Sequence, residues 1–214
     1  IKTILPKALQ NIIHLQKPRK KFLGIPDKAH TNLMKDALKG IETYIGYFDH
    51  KIQIGYYLNR LIQLSLKKNL EKITKYKPRL AHGDFFLENL IYYKRKIFVI
   101  DHQDLHYNHP CLDIASLIFD ARRQYSSKVE DRCIKEYAKK SNQTLRDITY
   151  DIHLVSLARN LRILGNWINL YRSGKPQYLK KYRKATWTQI FKHVEYLRFW
   201  DLRELFEEVY KKTK

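Results

Sequence analysis

Apolar residues recur at three- and four-residue steps over most of the chain, which is the period of an amphipathic helix. This pattern covers residues 1–17, where Pro18 ends it, then residues 27–48 and residues 52–76. We expect Asp27 to cap the second of these helices, and we expect the second and third helices to pack as an antiparallel pair. The part of the chain before residue 77 is therefore predicted to be helical.

The same period returns in the second half of the chain. It predicts helices over residues 114–123, 128–140, 145–171 and 187–210, and Asp113 precedes the first of them as its expected N-cap. In the long third helix of this set, Arg159 and Arg162 share one face with two asparagines, Asn166 and Asn169. Such a face suits an anionic or hydroxyl-rich ligand. A solvated helix face has the same composition, so both interpretations remain open.

Two short runs interrupt the helical pattern with residues typical of strands. Leu90–Tyr93 and Ile97–Ile100 flank the charged turn 94–96, which predicts a β-hairpin. The outer ends of a hairpin lie together, so Asn89 and Asp101 should be neighbours at its mouth. The predicted fold class is therefore mostly α (α+β), helical with one hairpin.

Three oxygen-bearing side chains meet where the hairpin begins. Asp84 lies five residues before Asn89, one tight loop away from Asn89 and Asp101. A hard cation such as Mg²⁺ takes one or two protein oxygens and completes its shell with phosphate and water. Phosphoryl transfer needs one Asp to accept the proton of the attacking hydroxyl, and an Asn and a second Asp to hold Mg²⁺ on the phosphates of ATP. The spacing predicts Asp84 in the first role and Asn89 and Asp101 in the second.

Composition limits the class of protein. The 214 residues suit one domain or one large lobe, and the net charge of +21 accompanies a sequence pI near 9.8. The lysines are spread along every segment, so we interpret the charge as a solvated basic surface that also attracts phosphorylated ligands. A nucleic-acid-binding protein remains an alternative. Two cysteines without metal spacing favour a reducing, cytoplasmic setting, and no apolar run is long enough to span a membrane.

The segment that carries these residues resembles the catalytic and metal-binding loops of the protein-kinase-like superfamily. The matching elements are His82-Gly83-Asp84, Asn89, and the step from an apolar strand to Asp101. Gly83 stands where Arg is usual, and His102-Gln103 stands where Phe-Gly is usual. Both departures resemble the aminoglycoside phosphotransferase and choline kinase branch. The resemblance implies the C-terminal lobe of a phosphotransferase that uses ATP, Mg²⁺ and a small-molecule acceptor.

The same resemblance implies roles for further residues. His82 would brace the catalytic loop, and Asp113 would form hydrogen bonds with it. The segments 159–165 and 174–179 resemble the anomeric amino-sugar kinases, which phosphorylate N-acetylmuramate and N-acetylglucosamine at the 1-hydroxyl in cell-wall recycling. An amino-sugar acceptor is thus expected. The weaker candidates for its binding are Glu88, Asp104, Arg159 and Arg162.

A kinase-like fold also has a small N-terminal lobe with a phosphate-covering loop and a strand-borne lysine. No G-x-G-x-x-G and no strand-loop-strand pattern precede residue 79. We therefore expect residues 1–26 to be a helix and linker that follow a missing small lobe. Residues 27–214 would form the C-lobe, with the catalytic loop and metal hairpin at 79–104. The small lobe could be absent, lie on a separate partner chain, or belong to a longer form of this chain, and these alternatives remain open.

Two other functions fit the same residues. One is a dinuclear metal hydrolase, whose Zn or Fe ligands would be His82, Asp84, His102, Asp104, His106 and His109. That alternative leaves Asn89 and the hairpin unexplained, and we expect His106 and His109 to be solvated loop residues. The other is a catalytically incomplete lobe that serves as an interaction module.

Overall fold

The computed structural model describes residues 4–17, 20–28, 32–49, 55–74 and 76–213. Within these ranges the chain is mostly helical, as the sequence predicts. The helices are α1 (Ile4–Leu15), α2 (Asn32–Tyr47), α3 (Gly55–Leu70), α4 (Leu112–Ile118), α5 (Ser127–Ser141), α6 (Leu145–Arg172), α7 (Gln177–Leu197) and α8 (Trp200–Lys212). Short 3-10 turns cover Glu71–Thr74, Leu87–Asn89 and His102–Asp104.

In the described part of the chain, four short strands form two antiparallel pairs. Strands β2 (Leu90–Tyr93) and β3 (Lys96–Val99) make the expected hairpin, with Leu90 opposite Val99 and Tyr93 opposite Lys96. Strands β1 (Arg79–Ala81) and β4 (His106–Asn108) form a second pair that the helical and hairpin patterns did not predict. This second pair frames the predicted catalytic loop, because the loop begins directly after β1.

The chain divides into two compact units. The first unit contains α1, the four strands, α4, α5 and the part of α6 up to Val155. Its core is built on α1, which packs against α5, α4, β1 and β3. The apolar face of α1 that the three- and four-residue spacing predicts, including Leu9 and Ile12, is fully buried there. The candidate loop and hairpin therefore rest on a packed helical base.

The second unit contains α2, α3, the part of α6 from Ser156, α7 and α8. Trp187 is fully buried at its centre and packs edge-on against Phe206, with ring centroids 5.8 Å apart. The indole N–H donates to the Tyr44 hydroxyl at 3.2 Å, and that hydroxyl also pairs with Thr213 at 2.9 Å. The polar ends of these large side chains are thus satisfied within the core.

Asp27, the expected cap of the second helix, lies in an extended segment, and its capping role stays a prediction because residues 29–31 are outside the described ranges. It forms a parallel bridge with Tyr107, and its carboxylate pairs with Lys21 at 2.5 Å. Backbone hydrogen bonds from Tyr107 N to Pro26 O and from Lys28 N to Tyr107 O hold this segment in extended form. Residues 29–31 lie outside the described ranges, and α2 is described from Asn32 onward.

The closing helix is also interrupted, where a single helix over 187–210 was predicted. Arg198 adopts a left-handed conformation with φ +59°, and Phe199 N donates to Val194 O at 2.9 Å. This is the hydrogen bond of a Schellman C-cap, which ends α7 and lets α8 start in a new direction. Helix α4 is also shorter than the predicted range 114–123, since it covers Leu112–Ile118.

Helix α3 buries only part of its predicted apolar stripe. Leu58, Ile62 and Leu66 are buried, whereas Tyr57 and Leu61 are more than half exposed. Helices α2 and α3 pack against each other, as the sequence predicts. Of the helices described, none combines the length and the apolar character needed to cross a bilayer.

Candidate functional site

The Asp113 carboxylate holds the loop that follows β1. It accepts the backbone N–H of His82 at 2.8 Å and that of Gly83 at 3.0 Å, one on each oxygen. Asp113 is fully buried in the first turn of α4, so it is not the N-cap that the sequence suggested. Burial raises the pKa of its carboxyl, while the two amide donors act in the opposite direction. The loop and α4 are therefore joined by two hydrogen bonds to one carboxyl group.

Gly83 occupies a backbone conformation that other residues rarely adopt. Its φ is +87°, and a Cβ at this position would lie 2.9 Å from His106 Cε1 and 3.1 Å from the Asp104 carbonyl oxygen. Only glycine fits such a position without displacing the neighbours. The glycine in His82-Gly83-Asp84 is thus required by the close approach of the segment 104–106.

The His82 ring connects the loop to the end of the hairpin. Its Nε2 lies 3.1 Å from the carbonyl oxygen of Ile100, which can only accept, so Nε2 carries the proton. The ring is 2% exposed and meets Phe85 edge-on at 5.8 Å. Its buried Nδ1 has no hydrogen-bond partner among the residues that the structure describes. His82 thus braces the residue directly before Asp101.

Asn89 connects Asp84 to the hairpin. Its side-chain Nδ2 donates to the backbone oxygen of Asp84 at 3.0 Å, and its backbone oxygen accepts the N–H of Ile100 at 3.0 Å. The amide group is buried, and the bond to Asp84 fixes which end carries nitrogen. Oδ1 of Asn89 is therefore the atom that remains free to bind a cation.

The hairpin register places Asp101 beside Asn89. Leu90 pairs with Val99, so Asn89 and Ile100 are the next neighbours outward, and Asp101 follows Ile100. The turn has two residues, Lys94 and Arg95, and not the three that were predicted. Both have positive φ, +46° and +62°, which is the type I′ geometry that matches the twist of two antiparallel strands.

The resulting group of side chains suits a hard cation. Asp84 is half-buried and Asp101 is exposed. Among the described residues, neither carboxylate forms a hydrogen bond or ion pair with another side chain. Two carboxylates and one amide oxygen are the donors that Mg²⁺ accepts from protein, with the remaining positions left to phosphate and water. The residues present therefore fit Mg²⁺.

The histidines that follow Asp101 have structural partners, which corrects the expectation that His106 and His109 are solvated. Both are buried. His106 Nδ1 lies 2.6 Å from the Asp104 carbonyl oxygen, and its Nε2 accepts from Asn108 Nδ2 at 3.0 Å. His109 Nδ1 accepts the N–H of Cys111 at 3.1 Å. Burial lowers the pKa of His106 and lowers that of His109 to about 3, so both rings are neutral at pH 7.

These bonds leave the dinuclear alternative without geometric support. Over the part of the chain that the structure describes, no group of three or more His, Cys, Asp or Glu side chains is placed to hold a metal ion. His106 and Asn108 instead support the loop from β4, a role that sequence reasoning missed. The only local signal is the strand-like run 105–108 before Pro110, which is too short to be recognised by its pattern.

The weaker substrate candidates occupy different places. Glu88 lies in the 3-10 turn before Asn89, and Asp104 ends the 3-10 turn after Asp101, so both are close in sequence to the predicted ligands. Arg159 and Arg162 lie on the part of α6 that belongs to the second unit. Arg159 is 5% exposed, so it does not belong to a solvated face. The roles of all four residues remain predictions.

Comparisons with known proteins agree with this fold. Residues 49–148 match the model of the phosphotransferase enzyme family, APH. An N-acetylmuramate/N-acetylglucosamine kinase of Caulobacter vibrioides is 32% identical over 105 residues, which are 46% of this chain and 29% of that protein. The chain thus spans less than a third of this curated relative.

A solved structure shows the same architecture. The crystal structure of a choline/ethanolamine kinase family protein from Mesorhizobium loti superimposes with a TM-score of 0.57 at 10% sequence identity. The match covers 94% of this chain and 65% of that chain. At such low identity the likeness shows the fold alone. Residues 49–148 therefore match the APH phosphotransferase enzyme family, and the chain has a kinase-like fold.

Proposed function

We propose that this chain is the metal-holding and acceptor-binding lobe of an ATP-dependent phosphotransferase. The reaction moves the γ-phosphoryl group of ATP to a hydroxyl of a small molecule. The family match over residues 49–148 and the amino-sugar kinase relative support this class of reaction. The observation that carries the proposal is the hydrogen bond from Asn89 Nδ2 to the Asp84 backbone at the mouth of the hairpin.

Asp84 is the residue that orients the acceptor. Its half-buried carboxylate has no partner among the described side chains, so it can accept a hydrogen bond from the acceptor hydroxyl and take its proton. Positioning and charge stabilisation dominate phosphoryl transfer, so this carboxylate does not need a raised pKa. The hydrogen bonds that the backbone N–H groups of His82 and Gly83 donate to the Asp113 carboxylate keep the Asp84 backbone in place.

Asn89 and Asp101 are the residues that would hold Mg²⁺. Asn89 presents Oδ1 because its Nδ2 is engaged by Asp84, and Asp101 presents a carboxylate from a left-handed backbone, φ +64°. When bound, Mg²⁺ neutralises the charge of the ATP phosphates that approach this site. His82 positions Asp101 by holding the carbonyl of Ile100.

The acceptor we propose is an amino sugar, N-acetylmuramate or N-acetylglucosamine, phosphorylated at the 1-hydroxyl in cell-wall recycling. Support comes from the relative named above and from the segments 159–165 and 174–179. Glu88, Asp104, Arg159 and Arg162 remain the candidates for contact with the sugar. A cytoplasmic setting, where ATP is available, agrees with two free, buried cysteines.

A small lobe, on this polypeptide or on a separate chain, is part of the proposal. The hairpin exposes several large apolar side chains, each at least 40% exposed. They are Ile91, Tyr92, Tyr93, Phe98 and Ile100. Contiguous exposed apolar side chains are typical of a surface that another domain covers. In a kinase-like fold the small lobe completes the nucleotide site.

The test is transfer of phosphate from ATP to N-acetylglucosamine and N-acetylmuramate, followed by ³¹P NMR, with choline and an aminoglycoside as competing acceptors. The assay uses the whole protein together with any small-lobe partner. Asp84→Asn should lower turnover on the order of 10²- to 10⁴-fold, because the acceptor loses its hydrogen-bond acceptor and base. Asp131→Asn, an exposed change on α5, is the matched control and should leave turnover unchanged.

Equal turnover of Asp84→Asn and the wild-type protein would contradict the role of Asp84. Phosphorylation of choline or of the aminoglycoside in place of the sugars would keep the reaction class and replace the acceptor.

A further inference from the structure

A second candidate binding site lies in the first unit, in a cavity of about 230 Å³ between the end of α1 and β1. Among the described residues, four cationic side chains and no acidic side chain line it, and the cations are Lys17, Lys21, Lys77 and Arg79. Its apolar lining includes Phe22, Leu80 and Tyr107. None of these residues belongs to the proposed phosphotransfer site.

The charge of this cavity is largely uncompensated. Lys21 pairs with the Asp27 carboxylate at 2.5 Å. For Lys17, Lys77 and Arg79, no carboxylate within the described ranges lies at ion-pair distance. Three cations gathered without a counter-ion repel one another, and an anion removes that repulsion. The half-buried guanidinium of Arg79 can also bind a phosphate oxygen pair in a bidentate manner.

The wall of the cavity is held in place by the chain. Leu80 and Tyr107 are directly opposite each other in the β1–β4 pair. The Tyr107 hydroxyl accepts the N–H of Phe22 at 2.9 Å, and Lys21 Nζ lies 5.2 Å from the centre of the Tyr107 ring. Segment 20–28 is therefore anchored to β4, and it holds Lys21 and Phe22 against the cavity. The proton of the Tyr107 hydroxyl has no acceptor among the described residues, so it can be donated to a ligand.

From this juxtaposition we propose that the cavity binds a small phosphorylated molecule, with its phosphates on Lys17, Lys77 and Arg79 and its non-polar part against Phe22 and Tyr107. A concave site of this size admits one phosphorylated group or a pyrophosphate, whereas a nucleic-acid strand binds along extended basic surface. The site is independent of the phosphotransfer reaction, because it uses none of the Mg²⁺ residues.

Calorimetry of the full chain with inorganic pyrophosphate tests the proposal. EDTA removes Mg²⁺, so that the predicted metal site does not contribute. Lys17→Gln/Lys77→Gln should weaken binding by about 10-fold or more. The matched control is Lys135→Gln/Lys139→Gln, which removes the same charge from exposed positions on α5 and should change affinity less than about 2-fold. Asp101→Asn should leave pyrophosphate binding unchanged.

Three results would overturn the proposal. The first is that the wild-type chain does not bind pyrophosphate. The second is that the Lys17/Lys77 and Lys135/Lys139 double variants weaken pyrophosphate binding equally. The third is that a short oligonucleotide binds and both double variants lower its affinity equally. The second and third results would assign the effect to the overall charge of +21. A Lys17→Gln/Lys77→Gln chain that unfolds at the wild-type temperature shows that lost binding is not lost folding.

Discussion

Asp101 and Gly83 both lie in the left-handed region of backbone conformation, for different reasons. Gly83 has no space for a Cβ, whereas Asp101 is held at φ +64° by the hairpin on one side and the 3-10 turn 102–104 on the other. This region costs most residues roughly 1–2 kcal/mol, and Asp tolerates it better than most. Non-glycine residues in such conformations cluster at functional sites, which agrees with the proposed role of Asp101.

Asp151 gives the clearest pH dependence at the residue scale. Burial, and then the neighbouring Asp147 carboxylate, raise its pKa to about 6. The ordinary value is near 3.9, so the folded state binds the proton more tightly than the unfolded state. Its contribution to stability is therefore fully present below about pH 4 and is lost as the pH rises through about 6.

Asp151→Asn should consequently raise the free energy of unfolding at pH 7.5. Raising the pKa from near 3.9 to about 6 corresponds to about 3 kcal/mol, and because the carboxyl is only partly buried, solvent screening reduces this to about 1 kcal/mol. Urea denaturation of both proteins from pH 4 to 8 measures the effect. The two stabilities should converge toward pH 4, and a constant difference across this range would contradict the assignment.

At the scale of elements, the hairpin turn carries two side chains in a backbone conformation that would be more stable with glycine. Lys94 and Arg95 both adopt positive φ, where neither side chain is favoured. Arg95→Gly should stabilise the protein by roughly 0.5–1 kcal/mol, because glycine enters the left-handed region without steric cost. The Lys94 ammonium, 5.2 Å from the centre of the Tyr93 ring, is retained.

Thermal unfolding measures this change. The matched control is Lys96→Gly, on β3 directly after the turn, which should destabilise because glycine weakens a strand. A loss of stability in both variants would show that the turn does not limit the stability of the hairpin.

The crossing of α2 and α6 depends on two glycines. A Cβ on Gly40 would lie 2.6 Å from Arg162 Cα and closer still to the Leu161 carbonyl oxygen, and one on Gly165 would lie 2.7 Å from Gly40 Cα. The backbones of two helices can approach this closely only where both side chains are absent. Gly165 was recognised in the sequence as part of the apolar face of its helix, but its partner was not.

Gly40→Ala should therefore destabilise the chain by about 2 kcal/mol or more, since backbone atoms must move to admit the methyl group. Gly46→Ala, in the same helix with nothing within 4 Å of the added carbon, is the control and should stabilise by up to about 1 kcal/mol. The midpoint of urea unfolding compares the two. Equal effects would mean that helix propensity, and not the crossing, sets the response.

At the scale of the whole molecule, the question is whether one lobe binds the nucleotide. We expect the chain to bind ATP in a Mg²⁺-dependent manner, since Asp84, Asn89 and Asp101 present unengaged oxygens from one loop and hairpin. Calorimetry should show heat with Mg-ATP, and Asp101→Asn should weaken affinity by about 10-fold or more. Asp131→Asn serves again as the control. An absence of heat for the wild-type chain would favour the incomplete lobe.

The predicted division into a linker at 1–26 and a C-lobe at 27–214 remains a prediction. The two compact units divide the chain differently, because α1 packs in the same unit as the loop and hairpin, and α2 and α3 belong to the other unit. Helix α6 contributes residues to both units. A boundary drawn from composition cannot show this, since contacts between distant segments define compact units.

The helices, the hairpin and the spacing of Asp84, Asn89 and Asp101 follow from local pattern. Periodicity and short spacings are properties of neighbouring residues, so the sequence alone determined them. Only the tertiary structure decided four other features. They are the pairing of β1 with β4, the burial of His106 and His109, the two hydrogen bonds from backbone N–H groups to Asp113, and the approach of Gly40 to Gly165. Each joins segments that are far apart in the chain or depends on packing around them, and such contacts leave no periodic signal in the sequence.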